Sequence, residues 1–186
     1  MLLNGVRRAA IATARGNGSN EKGQTMAVSL RESVQLVSDP RNLDASVEEV
    51  FQTMLGVSSR RDPGPAVMEP ESVTAVVGFG GLLSGACVFK SGSAAAMMIA
   101  AHMTGMEFHE VDDTVKDGIG EICNMLAGAW KGKVPALAAN CGLSVPAVIT
   151  GRDYNLRVQA PEFRLNHTYR FEGESFEVTI VCDGIQ

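Results

Sequence analysis

Three polar residues, Asp117, Glu121 and Asn124, recur at helical spacing in the second half of the chain. At about 100° per residue they fall within one narrow arc of a helix over residues 115–130. Asn124 is a poor helix former and lies far from either helix end, so capping does not explain it. Its amide can donate and accept at once and so orient a water molecule, while a carboxylate one turn away can pair with a partner's lysine. A solvated acidic face is the alternative explanation, because the spacing alone is also expected by chance.

The rest of this helix must hold those side chains in place. Its opposite face, which we expect to contact the core, carries Val115, Ile119, Ile122 and Leu126. Three glycines interrupt the helix, namely Gly118, Gly120 and Gly128. Each costs about 1 kcal/mol of helix propensity relative to alanine, which suggests close packing or the close approach of another molecule.

Patterns elsewhere predict an α+β protein in which helices and antiparallel strands are interleaved. A helix begins near Pro40, with Asp39 or Asn42 as its cap, and stops at Gly56, and residues 57–70 read as a polar loop. A second helix covers Ala94–Met103, with Ser91 or Ser93 as its cap, and a third runs from about Asp112 to Trp130. The predicted strands are Val73–Phe79, Leu82–Phe89, Leu143–Thr150, Tyr154–Val158, Arg164–Phe171 and Phe176–Cys182, the last pair turned through residues 172–175.

A faint internal repeat relates the two halves. Asp44-xxx-Glu48 is echoed by Asp117-xxx-Glu121, each near the start of a helix, and Phe79-x-Gly81 is echoed by Phe171-x-Gly173. The repeat predicts a pseudo-twofold domain, although chance could also supply so few matches.

Composition excludes several classes of function. The 186 residues carry 16 Lys+Arg and 21 Asp+Glu, a net charge of −5, which argues against nucleic acid as the main partner. No run of 18 apolar residues occurs, so we expect no membrane span. Residues 1–25 are basic and polar and read as a disordered tail or a mis-assigned start, with Met26 as the alternative start, and residues 26–186 as one domain.

The spacing of the cysteines, histidines and acidic residues gives little support for a metal site or for thiol chemistry. Cys87, Cys123, Cys141 and Cys182 form no CxxC pair and are expected to be buried thiols in a reducing cytoplasm. A metal-dependent hydrolase would have to use the nearly contiguous His109, Glu110, Asp112 and Asp113, which lack HExxH spacing.

The segment DGIGEICNMLAG, residues 117–128, resembles the signature helix of the CheC/CheX/FliY chemotaxis phosphatases. The surrounding order is also similar: VFQTMLG in the first helix, a glycine-rich hairpin, an Ala/Met helix, the signature helix and a VPAVITG segment. The similarity covers roughly residues 40–184. It implies a pseudo-twofold α+β domain with a mainly antiparallel sheet and three main helices.

The resemblance also implies an activity, the removal of the phosphoryl group from the aspartate of a CheY-type receiver domain in chemotaxis. Glu121 would pair with the active-site lysine of the receiver, Asn124 would hold the attacking water, and Asp117 would have a supporting role. The receiver would bring its own Mg²⁺, so no cofactor is expected on this chain. The family also implies a homodimer.

Two departures refine the comparison. In the first helix, Phe51 replaces the signature amide, and the offset Glu49-xx-Gln52 is a poor substitute, so a single signature points to the CheX branch. Pro146 lies one residue closer to Asn124 than the family pattern places its proline, which leaves its role open. A receiver-binding adaptor without catalysis, with the architecture of the FliM middle domain, is the alternative, and the acidic segment 107–121 would be its docking face.

Overall fold

The computed structural model describes residues 36–64, 69–152, 154, 156 and 163–185. The described helices are α1 (Pro40–Val50), α2 (Ser93–Thr104), α3 (Asp113–Gly132) and α4 (Pro135–Asn140), and a π-helical turn, Phe51–Leu55, continues α1. The described strands are β1 (Arg60–Asp62), β2 (Glu71–Gly81), β3 (Leu83–Gly92), β4 (Cys141–Leu143), β5 (Ala147–Arg152), β6 (Phe163–Phe171) and β7 (Glu174–Ile185). The predictions for residues 1–25 lie outside the described residues.

All the strands join one antiparallel sheet, in the order β1–β6–β7–β3–β2, and β4 and β5 share the outer edge of β2. With β5 beside β2, the order is β1–β6–β7–β3–β2–β5. This order is symmetric, because β1, β2 and β3 of the first half occupy the same places, counted from one edge, as β5, β6 and β7 of the second half counted from the other. Each half therefore contributes a helix, an edge strand that crosses to the other half, and a hairpin. The predicted α+β class is confirmed, and the topology has the twofold form that the faint repeat suggested.

The two hairpins have turns that fit their residues. At the end of β2, Gly81 has a φ of 106°, and a Cβ there would lie 2.5 Å from the carbonyl oxygen of Asn140, so only glycine fits. The last hairpin turns at Glu172 and Gly173, whose φ angles are 47° and 93°, as a tight two-residue turn requires. The turn is thus shorter than the four residues expected.

The bounds of α1 follow the predicted signals, whereas the predicted cap of α2 does not. Asp39 caps α1, its carboxylate accepting from the Arg41 backbone N–H at 3.0 Å, and Gly56 ends the π-helical turn with a φ of 69°. Asp112 caps α3. The expected serine cap of α2 is wrong, because Gly92 occupies the cap position without a side-chain bond.

The core lies where the main helices meet the sheet. The predicted apolar face of α3 is confirmed, since Val115, Ile119, Ile122 and Leu126 are each 0% exposed. At the far end of α3, the Trp130 ring packs 5.2 Å from that of Phe79, measured between centroids. The four cysteines are buried and free, as predicted, and burial raises the pKa of Cys182 to about 12.

Several short elements were missed or misplaced. The predicted loop 57–70 contains β1, which pairs with β6. The helix α4 was not predicted, and the strand expected over Leu143–Thr150 is interrupted, because residues 144–146 separate β4 from β5. Tyr154 and Leu156, expected in a strand, lie in none. Within the described part of the chain, no helix combines the length and apolarity that crossing a membrane requires.

Candidate active site on α3

The orientation of α3 is set at its start and along its buried face. The Asp112 carboxylate accepts from the Val115 backbone N–H at 2.9 Å, which satisfies one of the free donors of the first turn. The buried apolar face then fixes the rotation of the helix against β2 and β3, where the Cys123 thiol donates to the Ala75 carbonyl oxygen at 3.5 Å. The opposite face therefore points away from the sheet.

That outer face carries the three predicted site residues together. Asp117 and Glu121 are exposed, and Asn124 is half-buried. Among the described residues, none of the three has a side-chain hydrogen bond or salt bridge, although the Asp117 charge contributes to the raised pKa of the neighbouring Lys116. Two carboxylates and one amide in a row can pair with a cation of another molecule and orient a water beside it.

The glycines of α3 have different surroundings. A Cβ at Gly118 would lie 3.5 Å from the Met103 sulfur of α2, which is an ordinary van der Waals contact. A Cβ at Gly120 would lie 3.3 Å from the Pro146 Cβ and 3.4 Å from the Val148 Cγ2, so this glycine lets the start of β5 pack closely. The expectation of close packing is confirmed at Gly120, whereas a Cβ at Gly118 would fit without a shift of its neighbours. Around Gly128, in contrast, nothing lies within 4 Å of the Cβ position.

The acidic residues near the start of α3 have structural partners. Lys116 pairs with Asp113 at 2.8 Å, and this pairing lowers the pKa of Asp113 and raises that of Lys116. Asp112 is occupied as the helix cap. Across the described ranges, no three His, Cys, Asp or Glu side chains are grouped so as to hold a metal ion.

The corresponding positions of α1 and of the π-helical turn that continues it are used for packing and ion pairing instead. Phe51, in place of the signature amide, is 0% exposed and stacks on Phe176 with ring centroids 4.5 Å apart. Glu49, from the offset pattern, forms an ion pair with Lys133 at 2.7 Å. Only one helix therefore presents a complete signature among the described residues.

A polar cluster that the sequence did not reveal lies beside α1. Asp44 accepts from the Tyr169 hydroxyl at 2.8 Å, lies 2.9 Å from the His167 Nδ1 and pairs with Arg61 at 3.3 Å. Burial, followed by the Asp44 carboxylate, raises the pKa of Tyr169. Asp44, the residue that corresponds to Asp117 in the repeat, is thus held in a structural network. The one feature of the sequence that could have indicated this network is the i, i+2 spacing of His167 and Tyr169, which places both side chains on the same face of β6.

Comparison with known families decides what the signature belongs to. Residues 73–168 match the family described as "Chemotaxis phosphatase CheX". The chain belongs to the CheX family. The matched range includes the whole of α3, and it confirms both the resemblance to CheX and the prediction of a phosphatase.

Individual relatives agree with the family assignment. The curated protein "CheY-P phosphatase CheX" of Thermotoga maritima is 29% identical over 126 residues, which cover 64% of this chain and 81% of that protein. The crystal structure of the chemotaxis protein CheX from Vibrio vulnificus superposes with a TM-score of 0.66 at 19% identity, covering 77% of this chain and 95% of that one. A CheX–CheY–BeF₃–Mg²⁺ complex from Borrelia burgdorferi gives a TM-score of 0.62 at 19% identity, with coverages of 77% and 97%. These two structures establish the shared fold.

Proposed function

We propose that this CheX family member hydrolyses the aspartyl phosphate of a CheY-type receiver domain. The observation that carries the proposal is the row of Glu121 and Asn124 on the outer face of α3, without partners among the described residues. Support comes from membership of the CheX family and from the Thermotoga maritima relative, whose name describes it as a phosphatase of phosphorylated CheY.

Each residue of the row has a role that its chemistry suits. Glu121 pairs with a lysine of the receiver and fixes the register of the complex. Asn124, three residues further on and on the same side of the helix, holds the attacking water in line with the acyl phosphate. Partial burial of Asn124 limits the positions of its amide, and misplacing the water by about 1 Å can cost on the order of 10²-fold in rate.

The other requirements of the reaction are also shared between this protein and the receiver. Phosphoryl transfer requires positioning and charge stabilisation more than a covalent catalyst. Mg²⁺ belongs to the receiver in this proposal, as the composition of the CheX–CheY–BeF₃–Mg²⁺ complex suggests. Asp117, one turn before Glu121, has a supporting role in which its carboxylate adds negative charge to the row. The homodimer, expected from the family resemblance, and the cytoplasmic location, expected from the dispersed cysteines, remain predictions.

The deciding experiment measures phosphate release from phosphorylated CheY-type receivers of the host, with and without this protein. We expect Asn124→Ala and Glu121→Ala each to lower the catalysed rate by about 10²-fold or more, since each removes a group that positions the reaction. Glu48→Ala is the matched control, because Glu48 echoes Glu121 on α1, is also exposed, and should leave the rate unchanged.

Two outcomes would contradict the proposal. Unchanged hydrolysis by Asn124→Ala would rule out the water-positioning role. Saturable binding of a receiver without faster phosphate loss, found for every receiver of the host, would favour the adaptor alternative with the acidic segment 107–121 as its docking face.

A further inference from the structure

We infer that the loop Ser144–Val145–Pro146, called here the rim loop, is a preformed docking contact for the receiver, with Val145 as its apolar anchor. The inference rests on the proposed function and adds to it a residue outside the signature helix. It concerns affinity and receiver choice, whereas Glu121 and Asn124 concern the chemical step.

The rim loop is fixed on both sides of Val145. The Ser144 backbone N–H donates to the Gly78 carbonyl oxygen at 2.9 Å, and the Gly78 N–H donates to the Ser144 hydroxyl oxygen at 2.8 Å. The same hydroxyl donates to the Val145 carbonyl oxygen at 2.9 Å. On the other side, the Pro146 ring packs over Gly120 and its φ is restricted by the pyrrolidine ring. The loop therefore has little freedom to turn Val145 inward.

Val145 is unusually exposed for an apolar side chain. It is 86% exposed, whereas the other exposed large hydrophobic residues of the described ranges lie between 36% and 52%. A single exposed valine is ordinary on a protein surface, so exposure alone carries no conclusion. Here the exposed side chain is held by an anchored backbone, and its burial by a partner would remove apolar surface from water with little further ordering of the loop.

The position of Val145 connects it to the site. Pro146 contacts Gly120, which immediately precedes Glu121, and Val145 lies one Cα step of about 3.8 Å from Pro146. Gly120 and Asn124 are four residues apart and so adjacent on the same side of α3. The rim loop thus borders the side of the helix that carries Asn124.

The occupant that this placement fits is the receiver itself. A receiver that brings its phosphoaspartate to Asn124 faces the side of α3 against which Pro146 packs, so a contact with the rim loop would be continuous with the proposed catalytic one. We expect that surface to present an apolar side chain to Val145. A receiver with a charged side chain there would bind less well, since its charge would lose water without gaining a partner.

The test is the steady-state kinetics of Val145→Asp with a phosphorylated receiver that the wild type dephosphorylates. We expect KM to rise by roughly tenfold or more, with kcat within about twofold of the wild type, because the docking contact is lost while the reacting groups are intact. Val145→Ile should keep the wild-type KM. Thermal unfolding of each variant checks that the fold is retained.

The chain offers a matched control on β5. The Val148 side chain lies against the Gly120 position, so Ile149 faces the other side of the sheet, where it is 40% exposed. Ile149→Asp introduces the same charge at an apolar position near the loop and should leave KM unchanged.

Each outcome separates the two proposals. An unchanged KM for Val145→Asp overturns the docking inference and leaves the proposed function standing. A lower kcat at constant KM also overturns it, because the loop would then act through Asn124. If the wild type binds the receiver without hydrolysing it, the proposed function fails, and the dissociation constant of Val145→Asp for the receiver decides the docking inference. If no receiver binds, both fail.

Discussion

Gly120 and Gly128 lie eight residues apart on α3, and the structure gives them opposite reasons to be glycine. At Gly120 a Cβ would press on Pro146 and Val148, both within 3.4 Å of the Cβ position. At Gly128 no atom lies within 4 Å, so packing within the described fold does not require glycine there. The sequence alone could not separate these two cases, because both glycines carry the same helix-propensity cost.

Alanine substitution at these two glycines should have effects of opposite sign. We expect Gly128→Ala to raise the free energy of unfolding by about 0.5–1 kcal/mol, since it adds helix propensity at an open position. Gly120→Ala should lower that free energy by about 1 kcal/mol or more, because the anchored Pro146 must shift. Urea unfolding of both variants measures the difference. Equal effects would contradict the packing of Pro146 on α3.

At the scale of the element, α3 depends on its cap and on its buried face. The Asp112 carboxylate bonds the Val115 N–H, while the neighbouring Asp113 makes an exposed ion pair with Lys116. The two carboxylates lie side by side in sequence but make different kinds of contact. Caps contribute more than exposed ion pairs, so Asp112 should matter more to the stability of the helix.

Replacing the cap should therefore destabilise the protein without removing activity. We expect Asp112→Ala to lower the free energy of unfolding by about 1 kcal/mol, and Asp113→Ala, the control, by less than about half of that. Both variants should retain phosphatase activity at 25 °C, since Glu121 and Asn124 lie two or more turns further along the helix. Thermal unfolding and phosphate release provide the two readouts. Loss of activity in a folded Asp112→Ala would show that the cap acts on the site.

At the scale of the described fold, the two halves join where β3 of the first hairpin pairs with β7 of the second. Strands β3 and β7 pair along the centre of the sheet, with an irregularity between Leu83 and Gly85. Gly85 has a φ of 156°, and a Cβ there would overlap the carbonyl oxygen of Val181 on β7. The joint between the halves thus requires the absence of a side chain at one position.

A side chain at Gly85 should consequently destabilise both halves together. We expect Gly85→Ala to lower the free energy of unfolding by about 3 kcal/mol or more, because the backbone of β3 must move away from β7. Gly80→Ala is the control, since nothing lies within 4 Å of the Cβ position there. Chemical denaturation followed by circular dichroism compares the two. A wild-type midpoint for Gly85→Ala would contradict the close approach of these strands.

Local patterns in the sequence were enough to predict the main helices and strands and the residues on the outer face of α3. The 3.6-residue periodicity of α3 placed Val115 and Ile119 in the core and Asp117 and Glu121 outside, since a helix face follows from spacing alone. The family resemblance, carried by the signature and the order of the elements around it, predicted the CheX family and its fold, and both are confirmed.

The tertiary structure decided what depends on residues far apart in the chain. The pairing of β1 with β6, the contact of Pro146 with Gly120 and the network of Asp44 with His167 and Tyr169 each join distant segments. No periodic pattern records such contacts, because the partners of a short strand, a proline or a carboxylate are set only when the sheet closes. The sequence by itself therefore determined which face of α3 is buried and which is exposed. Only the fold decided what surrounds that face, since the pairing of β5 with β2 brings Pro146 and Val148 against Gly120.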